Sequence, residues 1–238
     1  MAIKKHLLVL ANSAKQGGRC MAGRVLENRN GSYIAGEWIR PVMPHHNGCD
    51  SMPEAVCRQV NPLDVVTLEL SSAAPVVGQP ENHLWQQESA IDLAWSYNQL
   101  QGSLNGILDH PADIWRDIHA HRDDEVTSRY SASQSLYLIQ PTDLELQLEI
   151  DPRGRRRAYA DFSYGGYRYR HIPVTDPLVR RLFINQFPLS GTKRVRLRNG
   201  DAYWLTMSLS LPFGPRNCRY KFVAAIIDHS GYIQRSYR

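Results

Sequence analysis

One stretch of twenty-one residues, DPRGRRRAYADFSYGGYRYRH from Asp151 to His171, constrains this chain more than any other. Two runs of alternating aromatic and polar residues flank Gly165-Gly166. A glycine pair between such runs is a strong hairpin signal, because the tight primed turns need positive φ. A two-residue turn sets Tyr164 opposite Tyr167, Phe162 opposite Tyr169 and Asp161 opposite Arg170. The period of two then sorts the side chains. Phe162, Tyr164, Tyr167 and Tyr169 share one face; Arg155, Arg157, Tyr159, Asp161, Ser163, Arg168 and Arg170 share the other. The aromatic face reads as core in preference to a base-stacking platform. Arginines interleaved with a tyrosine suit phosphate contacts with stacking, the plainer alternative being a solvated face.

Charge reinforces the first of those readings. The net +5 of the 238 residues conceals a segregation: +5 over residues 1–49, −12 over 50–150 and +12 over 151–238. A basic terminal part of that density is the electrostatic footprint of nucleic-acid binding. The acidic middle can dock on that surface, repel it or face another protein. The four cysteines, Cys20, Cys49, Cys57 and Cys218, are too irregularly spaced for a disulfide framework, which favours a reducing, cytoplasmic setting. No apolar run spans a bilayer, and the run after Met1 breaks at Asn12, so it reads as a first core strand rather than a signal peptide.

Along the chain, His6–Ala11, Arg19–Glu27 and Ser32–Val42 read as strands, the last two joined at Asn30-Gly31. Leu63–Leu70 is a fourth. From His83 to Tyr130 the period changes. Leu93, Tyr97, Leu100, Leu104 and Leu108 recur at helical steps, and Ile114, Trp115 and Ile118 follow Pro111 in a second apolar stripe. Leu144, Leu146, Leu148 and Ile150 then alternate with Glu145, Gln147 and Glu149 as a half-buried strand. After the hairpin, Thr175 or Asp176 can cap a helix starting at Pro177. Two strands joined by Asn199-Gly200 come next, with Arg194, Arg196 and Arg198 expected on one face with Tyr203, and Tyr220–Ile227 is last.

Strand, strand, strand, helix, strand, strand is the connectivity of the five-stranded OB barrel. That fold binds oligomers on the face of its second and third strands and through the loops after strands one and four. Here those loops fall at Arg153–Arg157 and at Asn199-Gly200. A second candidate contact patch is Lys15 and Arg19, which flank Gly17-Gly18; glycines there let the backbone present N–H groups, unless they serve only as a turn. The full phosphate-loop pattern is missing, which argues against an NTPase.

K-x-G-G-R-C-x-A-G at Lys15–Gly23, W-I-R-P-V at Trp38–Val42, Q-P-E-N at Gln79–Asn82, F-x-Y-x-G-Y-x-Y at Phe162–Tyr169 and V-T-D-P at Val174–Pro177 together resemble the bacterial dual OB-containing domain family. The resemblance implies two OB folds and a nucleic-acid-binding role beside defence and DNA-processing genes. The expected fold is therefore mainly β with a helical insertion, built on two OB-fold-like small barrels. Its expected divisions are an OB-like domain at 1–82, an acidic helical insertion or linker at 83–131 and a basic OB domain at 132–238. Residues 1–82 supply four strands on this reading.

The leading functional expectation is a non-enzymatic nucleic-acid-binding module, for DNA or RNA, serving as a recognition subunit of a multi-protein system, with no cofactor and no membrane. Its expected contacts are Arg155, Arg157, Tyr159, Arg168, Arg170, Arg194, Arg196, Tyr203, Lys15 and Arg19. A metal-dependent nuclease or phosphohydrolase is the alternative. His45, His46, Cys49 and Cys57 are zinc-ligand types without a C-x-x-C pair, and HAHRDD ends in Asp124 where the H-x-H-x-D-H hydrolase motif has histidine, so no metal is expected. Asp64 and Glu69 lack the lysine of a nuclease carboxylate motif. A third reading is an assembly adaptor acting through the acidic middle.

Overall fold

The structure, a computed structural model, describes residues 2–15, 17–30, 32–45, 48–86, 90–96, 104–197, 202–230 and 233. The chain divides into two compact units, Met1–Ile107 with Ser133–Ser135 and Leu108–Ala132 with Leu136–Arg238. No helix among the described residues is long and apolar enough to cross a membrane.

In the first unit, β1 (Ile3–Lys15) pairs antiparallel with β2 (Gly18–Arg29) along one edge and with β5 (Asp64–Ala73) along the other. β2 pairs with β3 (Ser32–His45), and Arg40–Val42 of β3 lie parallel to β6 (Asn82–Trp85). β6 returns antiparallel to β5. The five strands thus close into a barrel in the order β1-β2-β3-β6-β5, with the third strand parallel to the fifth, which is the OB arrangement. β4 (Gly48–Asp50) extends β3, and the single turn of α1 (Glu54–Cys57) sits between the third and fourth barrel strands. Strand alternation supplies the core: Leu7, Val9, Met21, Val25, Ile39, Val66, Leu68 and Leu70 are buried together. The strand missing from the sequence reading is Asn82–Trp85, a short run across the expected boundary between the OB-like domain and the helical insertion.

β7 (Asp92–Ser96) also falls where the helix was expected, and it pairs with β5. Among the described residues, 83–131 hold no α-helix, only a 3-10 turn at Leu104–Ile107. The helical period does not match the described residues. Leu93 is 61% exposed on an edge strand, and Trp115 has φ +47°, which no α-helix accommodates. Ile114 and Trp115 are buried, whereas Ile118 is 76% exposed, so no stripe exists. Tyr97 and Leu100 lie outside the described residues.

The second unit contains two four-stranded sheets around one core. One sheet runs β12-β11-β10-β13, from β10 (Thr142–Ile150), β11 (Arg156–Tyr164), β12 (Tyr167–Pro173) and β13 (Gly191–Arg196). The other runs β8-β15-β14-β9, from β8 (Glu125–Val126), β9 (Leu136–Ile139), β14 (Tyr203–Leu209) and β15 (Arg219–Asp228). β9 and β10 are successive parts of one interrupted strand. β15 meets the end of β12 through a parallel bridge, Val174 to Val223, with Thr175 N–H donating to the Val223 carbonyl at 2.9 Å. Following the pairings gives β9/β10, β11, β12, β15 and β14, again with the third strand parallel to the fifth. Between the third and fourth strands lies α2 (Pro177–Leu182), capped by Asp176, whose Oδ1 accepts from Leu178 N at 2.9 Å. By this order the fourth strand is β14, and the loop after it is 210–218. Asn199-Gly200 lies outside the described residues, as does Arg198. β13 and β14 are not partners, since β13 adds to the free edge of β10 while β14 pairs with β9 and β15.

Candidate nucleic-acid interface

Cross-strand register decides which side chains share the outward face of the β12-β11-β10-β13 sheet. Leu146, Leu148, Ala158, Ala160, Phe162, Ile172 and Val195 point into the core and are buried. The alternate positions therefore face out. Three rows cross them: Thr192, Glu149 and Arg157; Arg194, Gln147 and Tyr159; Arg196, Glu145 and Asp161. Ser163 and Arg168 form the start of a fourth. Five of the expected contacts, Arg157, Tyr159, Arg168, Arg194 and Arg196, thus lie on one face. The hairpin places Phe162 inward against Tyr169, with ring centroids 5.3 Å apart, while Tyr164 is half-buried and Tyr167 is exposed at the tip.

Near its far end the hairpin departs from simple alternation. Ala160 pairs with Ile172 but Phe162 pairs with Tyr169, so Arg170 and His171 together oppose Asp161 in a β-bulge. The expected Asp161–Arg170 pair is absent for that reason. His171 takes φ +57°, and its N–H donates to Asp161 Oδ1 at 2.7 Å, while Gln147 Nε2 donates to Asp161 Oδ2 at 2.7 Å. The extra residue leaves both Arg170 and His171 exposed. The His171 ring stacks on Tyr159 at 3.7 Å between centroids and 15° between planes. One ring face of Tyr159 is therefore covered, and His171 is the outer member of the pair. The sequence carries no signal for this residue, because alternation without a bulge places His171 inward.

The loop entering β11 is pinned by one carboxylate. Asp151 Oδ1 accepts from the N–H groups of Arg153 and Arg155, each at 2.9 Å. Its Oδ2 accepts from Arg155 Nε at 2.8 Å and Arg157 Nε at 3.4 Å. The Arg155 N–H, ahead of the Arg155 side chain, holds the Asp151 carboxyl at about 2. Elsewhere, Arg168 Nη1 donates to the Asp143 carbonyl at 2.9 Å, and Arg194 pairs with Glu145 at 3.2 Å. Arg170 and Arg196 side chains are exposed and make no ion pair among the described residues. Burial raises the Tyr159 phenol above its ordinary value, so it remains a neutral hydroxyl.

The remaining expected contacts lie elsewhere. Tyr203 packs half-buried against the second core on β14, in the other four-stranded sheet. Lys15 ends β1 opposite Gly18, exposed. Arg19 is committed internally: Nη2 meets Glu54 at 2.6 Å, and its backbone exchanges hydrogen bonds with Met52. A Cβ at Gly18 would run into the Met52 carbonyl, so that glycine permits a close backbone approach rather than cradling an anion.

Other singled-out motifs have structural partners. Arg40 of the W-I-R-P-V run and Glu81 of Q-P-E-N are both buried in the first unit, 3.7 Å apart, and Ser135 bonds to each. In the HAHRDD segment Asp124 pairs with Arg122 at 2.9 Å, and Asp123 accepts the Arg170 N–H at 2.9 Å. Ile114 N–H donates to the Tyr169 hydroxyl at 2.8 Å, so this part of the acidic middle docks along the β12 edge. Asp64 accepts from Asn61 N at 2.9 Å, and Glu69 pairs with Lys4 at 3.5 Å. The His45, His46 and Cys49 side chains fall outside the described residues, and burial pushes the Cys57 thiol up to about 12.

No curated protein and no solved structure is significantly similar to the chain. The dual OB-containing domain family model, in contrast, spans residues 5–226, and with five-stranded OB connectivity in both units the chain belongs to that family.

Proposed function

We propose that this protein is a nucleic-acid-binding module whose contact surface is the outward face of the β12-β11-β10-β13 sheet. One observation carries the reading: Arg157, Arg168, Arg194 and Arg196 share a single sheet face with the stacked Tyr159–His171 pair, and Arg170 is exposed at the adjoining bulge. β11 and β12 are the second and third strands of the barrel, whose face OB folds use for oligomers. Three carboxylates share the face: Glu145 is held by Arg194, Asp161 by Gln147 and the His171 N–H, and Glu149 lies between Thr192 and Arg157. The arginines track phosphates, which sets position without sequence, and the ring pair offers one stacking site. On this reading the protein is a recognition component of a DNA-processing or defence assembly, a role supported by the family resemblance alone.

The test is a salt-titrated binding panel of single- and double-stranded DNA and RNA. Replacing Arg170, Arg194 and Arg196 by Ala should flatten log K against log salt by about 2 to 3, at about 0.7 to 0.9 per phosphate contact. His171→Ala should weaken single strands by about 1–3 kcal/mol with the slope nearly unchanged. A folded triple variant that binds the whole panel as the parent does, at every salt concentration, removes the proposal.

A further inference from the structure

A second basic feature of this unit lies off the sheet face. An open cleft of about 970 Å³ runs between the Gly154–Arg157 strand entry and the chain from α2 to Leu189. Arg155, Arg156 and Arg157 form one wall, and Arg180 and Arg181, in the last turn of α2, stand on the other. Among the described residues, no carboxylate lines it. Asp151 holds Arg155 and Arg157 from outside the cleft, but Arg156, Arg180 and Arg181 have no ion pair among the described residues. Alternation explains the separation of roles: Arg155 and Arg157 belong to the outward face, whereas Arg156 emerges at the barrel end opposite Ile150.

The cleft is apolar as well as basic. Leu189 is wholly exposed at 102%, Ile184 is 40% exposed, and Phe187 lies half-buried beneath Arg156, whose guanidinium is 5.9 Å from the ring centroid. Exposed apolar side chains beside unpaired arginines mark a surface made for a ligand with two characters. Several phosphates would relieve the mutual repulsion of the arginines, and a planar group would cover Phe187 and Leu189. An inorganic anion offers only the first.

We infer that this cleft receives the single-stranded continuation of a nucleic acid bound on the sheet face, its phosphates on Arg156, Arg180 and Arg181 and an unstacked base on Phe187. The inference rests on the sheet-face reading for the class of ligand and adds the strandedness. Arg155 and Arg157 border both surfaces and so lie along the path. A base can reach a ring at the bottom of a cleft only when it is unpaired, which a duplex forbids.

Fluorescence anisotropy with a 20-mer of dT, a 20-base-pair duplex and an abasic 20-mer tests this against three variants. These are the cleft triple Arg156→Ala/Arg180→Ala/Arg181→Ala, Phe187→Leu, which keeps the apolar packing, and the face triple Arg170→Ala/Arg194→Ala/Arg196→Ala. The cleft triple should flatten the single-strand salt slope by about 2 and leave duplex affinity within about twofold. Phe187→Leu should weaken dT by about 5- to 150-fold and leave the abasic strand unchanged. If the face triple loses affinity while the cleft variants bind dT like the parent, the sheet-face reading stands and this inference falls. If the face triple binds like the parent while the cleft variants lose affinity, the sheet-face reading falls and the cleft alone holds the strand. Poly-glutamate binding the parent as tightly as dT at equal salt, and lost in the cleft triple, would make the occupant an acidic protein segment and overturn the assignment.

Discussion

The two barrels use the same connection, between their first and second strands, in opposite ways. In the first unit Lys15 already pairs with Gly18, Gly18 presses against the Met52 carbonyl, and Arg19 turns inward to Glu54. In the second unit the connection swings out around Asp151, and its arginines are held at fixed positions on the surface. Each loop joins an arginine to a carboxylate, but one pair locks a helix turn onto the barrel and the other arranges a charged edge. Equal topology therefore does not mean equal use, and the geometry of the carboxylate decides which use a loop has.

The largest effect that could break this contrast is steric. Gly18→Ala should destabilise by about 1–3 kcal/mol, because a backbone carbonyl must move. Gly154→Ala should cost nearer 1 kcal/mol, since φ is +75° but nothing lies within 4 Å of the added carbon. Thermal melts showing equal losses would mean that the first loop is not wedged.

A smaller difference should appear in binding. Arg155→Ala should flatten the salt slope by about 0.7 to 0.9, whereas Arg19→Ala should leave it unchanged. A slope change from Arg19 comparable to that from Arg155 would return the first loop to the contact surface.

Acid sharpens the contrast most finely. The Asp151 carboxyl, at about 2, should keep its loop pinned at pH 3. A depressed folded value gives a contribution that is complete above the unfolded value of about 4 and is lost as pH falls through about 2. Glu54 is also lowered, first by its hydrogen bond from Arg19. Carboxyl carbon shifts followed through an NMR titration should show Asp151 as the last to protonate of the two. An Asp151 midpoint near 4 would place the Arg155 N–H off the carboxylate.

Much of the second barrel was legible in the sequence because its strands are long and half-buried. Alternation from Leu144 to Tyr169 sorted core from surface, and the glycine pair fixed the turn. Asn82–Trp85 escaped notice because a four-residue strand, buried at Asn82 and Trp85 and paired parallel to a distant segment, leaves no period to read. The helix expected at 93–108 is not found among its described residues for the converse reason, a period in which Leu93 lies on an edge strand and Leu104 in a 3-10 turn. Within the candidate site, local pattern revealed the arginines on β11 and β12. The partners of β13, which bring Arg194 and Arg196 onto the same face as Tyr159, depend on tertiary pairing that the Asn199-Gly200 signal misdirected. The tie of Arg19 to Glu54 was not legible, because glycines that admit a neighbouring backbone look the same as glycines that admit an anion.

The bulge at Arg170-His171 has a consequence for how this strand can change over generations. β12 holds Tyr169 and Ile172 in the core three positions apart, where regular alternation would need two. The strand has absorbed one residue without turning over. Deleting His171 would let the ladder close, keep both core residues where they are and bring Asp161 opposite Arg170. Lost with it would be the imidazole, its stack on Tyr159 and the His171 N–H bond to Asp161, while the apolar core would be untouched. Length variation at this point is therefore a means of altering what the surface grips while the interior stays fixed, a freedom that no substitution within a regular strand provides.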